Sequence, residues 1–140
     1  MTQATNTSSG TSKAGRSVLA VLAGLVFIVI VSTIIDQMFH ILDVYPAWGQ
    51  PMMETSDNLL ALSYRILIGV VSGYIVARLA PKAPIAHALV LGAIGTLLTI
   101  AGTIAAMSME LGPLWYPVLL AILIVPTVYI GAKLAIRAKS

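Results

Sequence analysis

Three stretches without a single Asp, Glu, Lys or Arg, Val18–Ile35, Ala88–Met109 and Leu111–Ala132, take up nearly half of this 140-residue chain. A helix that crosses a bilayer needs about 20 mostly apolar residues, so each stretch is long enough to span or nearly so. A fourth, Leu59–Ala77, is interrupted only by Arg65. Charged residues make up 9% of the chain, against about 25% in soluble domains. A water-facing surface for the whole molecule is therefore out of reach. The expected fold is an all-α membrane protein, a bundle of four transmembrane helices over about residues 16–41, 58–80, 84–109 and 113–138.

The charges that remain are sorted by position. Lys13 and Arg16 precede the first span, Arg78 and Lys82 lie between the second and third, and Lys133, Arg137 and Lys139 close the chain. The connection from Asp43 to Asp57 holds three acids and no base, and the turn at Glu110 has no base either. Cytoplasmic loops carry the excess of Lys and Arg, so both termini and the middle turn are expected in the cytoplasm. The net charge of +3 thus reads as membrane orientation, and no nucleic-acid partner is expected. Without cysteine, disulfide, thiolate-metal and thiol-redox chemistry are excluded.

The Ser/Thr/Gly/Asn-rich residues 1–15 read as a disordered cytoplasmic tail, and 16–140 as the membrane domain. The first span is too long for a signal peptide and lacks a small-x-small cleavage site. It is expected to be retained. Pro84 suits the first turn of the third helix, and Ser56, Asp57 and Asn58 offer capping side chains for the second. Pro126, mid-span in the fourth helix, should kink it.

Residues 73–82 align without gaps on 128–137, matching Tyr, Ile, Ala, Leu and Ala, with base on base at two positions. Tyr45-Pro46 also echoes Tyr116-Pro117. Two hairpins of equal orientation would form a parallel repeat about an axis along the membrane normal. Convergence on Tyr and Lys/Arg anchors at cytoplasmic helix ends explains the same pattern. For packing, Gly69, Gly73 and Ala77 form a small-xxx-small series on helix two. Gly92, Gly95 and Gly102, with Thr96, Thr99, Thr103 and Ala106, share one face of helix three.

Asp36 and Arg65 lie about five and six residues inside the outer ends of the first two helices, roughly 8–10 Å below the boundary at 1.5 Å per residue. Antiparallel neighbours bring them level. Charges at that depth are costly and mark functional suspects; a structural ion pair is the plain alternative. His40, one turn above Asp36, shares its face, and an Asp–His pair could relay protons or hold a metal. Met107 and Met109 fall on the same outer side as His40, which makes a Cu(I) site conceivable, although methionine also serves as packing filler. His87 reads as interfacial. The outer loop around Trp48 is expected to fold back as an interfacial cap, or as a lid over Asp36 and Arg65. No Walker, HExxH, GxSxG or Rossmann motif occurs, so enzymatic activity has little support and no cofactor is called for.

Asp36, His40, Tyr45-Pro46, Trp48-Gly49, Pro51-Met52, Tyr64-Arg65, Gly73-Tyr74, residues 77–81, His87-Ala88 and residues 115–117 together resemble a group of small four-helix bacterial inner-membrane proteins of no known activity. The resemblance covers nearly the whole chain outside the tail. It implies a bacterial inner membrane and four spans, and transfers no functional residue. The function expected from the residues is a non-enzymatic one, a minimal transporter or an accessory subunit of a membrane complex. Its partners would be the bilayer and either further copies of itself or that complex. The alternative is a membrane-embedded enzyme or copper-handling protein using Asp36 and His40.

Overall fold

The computed structural model describes residues 8–140, which form four α-helices: α1 Ser8–Ile41, α2 Thr55–Leu79, α3 Pro84–Met107 and α4 Trp115–Arg137. Each is long and apolar enough to cross a membrane, so the four-helix bundle fits a multi-pass membrane protein. One end of the bundle carries the α1–α2 loop and the α3–α4 turn; the other carries the termini and the α2–α3 turn.

Three helix ends depart from the sequence reading. α1 reaches back to Ser8, so residues 8–15 of the expected tail are helical. No proline interrupts them, and extending a helix from an established run costs little compared with nucleating one. Residues 1–7 of that tail lie outside the described residues. α2 begins at Thr55 with Glu54 at its N-cap and no side-chain cap bond, so Ser56, Asp57 and Asn58 do not cap it. Asn58 instead sits inside the first turn, 2% exposed, and its Nδ2 donates to the carbonyls of Met52 at 2.9 Å and Glu54 at 2.8 Å. α4 begins at Trp115, two residues past Pro113, and continues through Pro126.

The α1–α2 loop leaves its helix through a Schellman arrangement, Val44 N–H donating to Phe39 O at 3.0 Å and Asp43 N–H to His40 O at 3.4 Å. Asp43 takes the left-handed position with φ 55°, one that Asp tolerates better than most side chains. Met52 N–H then donates to Leu111 O at 2.8 Å, tying this loop to the α3–α4 turn. Because Asn58 holds the Met52 carbonyl from below, Asn58→Ala should loosen both connections at once. We expect a loss of about 1–3 kcal/mol for the Met52 carbonyl left without its donor, read as a lower thermal midpoint in detergent.

α2 is the central helix and packs on all three others, while the backbones of α1 and α4 do not approach closely. α2 and α4 run in the same direction and meet backbone to backbone. A Cβ at Gly73 would strike the Val128 backbone, and one at Gly131 the carbonyl of Val70 and the amide of Tyr74. Gly131, unremarked in the sequence, is therefore the tightest glycine position among the described residues. Gly69 faces the Thr127 side chain, and Gly24 of α1 faces Val76 and Ser72, with Ser72 Oγ–H donating to Gly24 O at 3.0 Å.

On α3 the fit loosens along the helix. A Cβ at Gly92 would come within 3.0 Å of Val128 and one at Gly95 within 3.3 Å of Ile124. At Gly102 it would meet nothing within 4 Å, so Gly102 does not serve helix packing as its spacing suggested. It lines a cavity instead. Near the other end, Arg78 lies over the Tyr74 ring at 5.9 Å and Lys133 over Tyr129 at 5.8 Å.

Candidate functional site

The α1–α2 loop makes these helices antiparallel neighbours and sets Asp36 level with Arg65. Arg65 Nη2–H donates to Asp36 Oδ2 at 2.7 Å. Tyr64, the preceding residue on α2, donates its hydroxyl to the other carboxylate oxygen. Tyr45, in the loop, donates to the Tyr64 hydroxyl at 3.3 Å. Successive residues on a helix point about 100° apart, so Tyr64 and Arg65 straddle the Asp36 side chain. The pair is 18% exposed at Asp36 and 29% at Arg65, which leaves it reachable without being open.

An aromatic and aliphatic shell fixes the chain of donors. Phe39 lies 5.1 Å from the Tyr45 ring and 5.8 Å from the Tyr64 ring, over the buried Ala61 and Ile68. Tyr116 of α4 packs against the same cluster. Both members of the Tyr-Pro echo in the sequence, Tyr45 and Tyr116, thus converge on one place. Burial raises the Tyr45 phenol above its ordinary pKa, and its hydrogen bond with Tyr64 opposes that shift. Tyr45 is therefore a neutral donor throughout the physiological range.

Arg65 is also the meeting point of two cavities. One, of about 260 Å³, lies at the bundle centre and is lined by all four helices, with Arg65 its only charged lining residue. The other, of about 690 Å³, lies among α2, α3, α4 and the two connections, lined by Asn58, Thr99, Thr103, Glu110 and Tyr116 among others. Arg65, Thr99 and Leu120 line both. The Nε atom of Arg65 is buried and has no hydrogen-bond partner among the described residues.

The other candidate residues are engaged elsewhere. His40 Nδ1–H donates to Pro46 O at 2.6 Å, and its ring lies 3.9 Å from that of Trp48. Trp48 Nε1–H donates to Gln37 Oε1 at 3.1 Å. His40 therefore holds the loop against α1, and the Asp36–His40 pair expected from their spacing is not formed. Its Asp36 partner has been taken by Tyr64 and Arg65. Met107 lines the larger cavity with Met52 and Met53, whereas His40 and Met109 do not. No cluster of three or more His, Asp or Glu that could hold a metal occurs among the described residues. His87 Nδ1–H donates to Ala83 O at 3.0 Å on an exposed helix end.

Tyr45, Tyr64, Tyr116 and Asn58 were not read as site residues from the sequence. Only Tyr64 carried a usable signal there, its adjacency to the one arginine inside an apolar stretch. Comparison with protein-family models, curated proteins and solved structures returned no match.

Proposed function

We propose that this chain is a non-enzymatic, multi-pass protein of a bacterial inner membrane, and that the cavities at Arg65 are the solute site of a minimal carrier. The observation that carries this reading is the position of Arg65, a costly cation within a helix of membrane-crossing length, shared by two adjoining cavities and left with a donor to spare. A purely structural lock would bury its donors against protein. The distribution of charge supports an orientation with both termini and the α2–α3 turn in the cytoplasm: seven of the eight bases fall at that end of the bundle, and Asp43, Glu54, Asp57 and Glu110 at the other. The larger cavity then faces outward.

Two features support a pair of hairpins forming a parallel repeat. Gly73 and Val128, backbone neighbours where α2 meets α4, are also the residues that open the aligned segments. The Tyr74–Arg78 and Tyr129–Lys133 ring contacts occupy aligned positions too. A second reading, an accessory subunit of a larger membrane complex, is favoured by the thin cover on α3, which buries only Ala88, Leu91 and Gly92. Self-association would cover the same helix.

Native mass spectrometry of gently solubilised protein separates these readings. A carrier should retain a small solute at fixed stoichiometry and lose it on Arg65→Gln. An accessory subunit should arrive with other membrane proteins and show no adduct that depends on Arg65.

A further inference from the structure

Arg65 gives Asp36 a single Nη2 bond, and Asp36 cannot turn toward the idle Nε because its other oxygen is held by Tyr64. A buried N–H without an acceptor is rare and costly, so this edge of the guanidinium calls for an acceptor from outside the chain. Charge decides what kind. Asp36 from α1 and Arg65 from α2 cancel. Tyr45 from the loop, Tyr64 from α2 and Tyr116 from α4 are phenols, and α3 brings only the hydroxyls of Thr99 and Thr103. The next charge is the acid Glu110 at the turn. An anion would leave this half-buried cluster with a net negative charge, which is less favourable than a neutral acceptor. A neutral carbonyl adds none.

Beyond Arg65, the central cavity of about 260 Å³ is walled by aliphatic side chains and the small residues Ser32, Gly95 and Thr127. Ligand pockets are typically apolar with a few placed polar groups, and here the one charged group is Arg65, on the wall shared with the larger cavity. We propose that Arg65 Nε–H donates to the carbonyl oxygen of an uncharged amphiphile of the acyl-ester class, whose chain lies in the central cavity. This names the ligand class of the site proposed above and rests on that reading.

The full chain in detergent can be tested with a fatty-acyl methyl ester carrying a diazirine in its chain, with two competitors of equal length, the free carboxylate and the plain hydrocarbon. The ester should crosslink near Gly95 and Thr127, and unlabelled ester should compete on the order of tenfold or more better than hydrocarbon, as a bond to a charged donor implies. The carboxylate should compete less well than the ester. Arg65→Lys keeps a cation beside Asp36 but removes the Nε–H, so the folded variant should lose the ester's advantage over hydrocarbon. Thr99→Leu, which narrows the shared wall without touching the ion pair, should weaken every probe.

Three results would overturn the proposal: hydrocarbon competing as well as ester, carboxylate competing better, or crosslinks confined to outward side chains such as Leu97 and Ile104, which are 67% and 65% exposed. If the ester fails while native mass spectrometry still finds an adduct lost on Arg65→Gln, the ligand class is wrong and the site stands. If both fail, the site falls with it.

Discussion

Asp36→Asn is expected to destabilise the bundle more than Arg65→Gln does, and the double variant to lose far less than the sum of the two. Removing one partner of a buried pair leaves an uncompensated charge, typically costing about 3–5 kcal/mol in proteins; snorkelling and water defects reduce such penalties inside a membrane. The asymmetry comes from the geometry. Without Arg65, Asp36 keeps the hydrogen bond from the Tyr64 hydroxyl. Without Asp36, the guanidinium has no ionised acceptor, and arginine does not deprotonate in proteins. A double-mutant cycle in detergent measures the coupling directly. Additivity within about 0.5 kcal/mol would mean that the 2.7 Å contact contributes nothing, and with it would go the view of this pair as the polar centre.

A second large effect is expected at Gly131, and a small one of opposite sign at Gly102. Even Ala at Gly131 would place its Cβ on the Val70 carbonyl and close to the Tyr74 amide. Backbone cannot step aside as the tip of a side chain can, so α2 and α4 would have to separate. Overpacking costs about 1–3 kcal/mol and sometimes more. We expect Gly131→Ala in the upper part of that range and Gly131→Leu to prevent assembly of a stable bundle. Gly102 is also mid-helix, but a Cβ there meets open space, so Gly102→Ala should gain roughly 0.5–1 kcal/mol from the lower flexibility of the unfolded chain. Thermal unfolding of the two alanine variants side by side is the check. Equal shifts would show that α2 and α4 are not in backbone contact.

Much of this was legible in the sequence for simple reasons. Length and hydropathy determine a helix that can cross a bilayer, and counting residues inward from two connected helix ends sets Asp36 opposite Arg65 without any knowledge of packing. Helix rotation is harder to read. Spacing put Gly92, Gly95 and Gly102 on one face correctly, yet could not tell that α3 and α4 draw apart toward the loop end, where that face opens onto a cavity. Gly131 stands in a four-residue series with Thr127 and Ala135 that was passed over, and its pairing with Val70 shows only once the two helices are docked. The phenols were missed because tyrosines near helix ends ordinarily anchor at the interface. Their convergence depends on the fold of the Asp43–Glu54 loop, which local propensity does not specify. His40 was misjudged for the same reason, its ring being taken by the loop it helps to close.

The absence of native cysteine permits a direct test of the central claim, that a cavity reaching Arg65 opens on the non-cytoplasmic face of a membrane-spanning bundle. Single cysteines would replace Thr103 in the larger cavity, Met53 in the loop above it and Ala88, which is fully buried near the other end. A membrane-impermeant thiol reagent would then be applied to intact cells. Labelling at positions 53 and 103 but not at 88 is the predicted result. Labelling at 53 with none at 103 would close the cavity to water, and labelling of either only after the cytoplasmic face is exposed would invert the orientation and contradict the account.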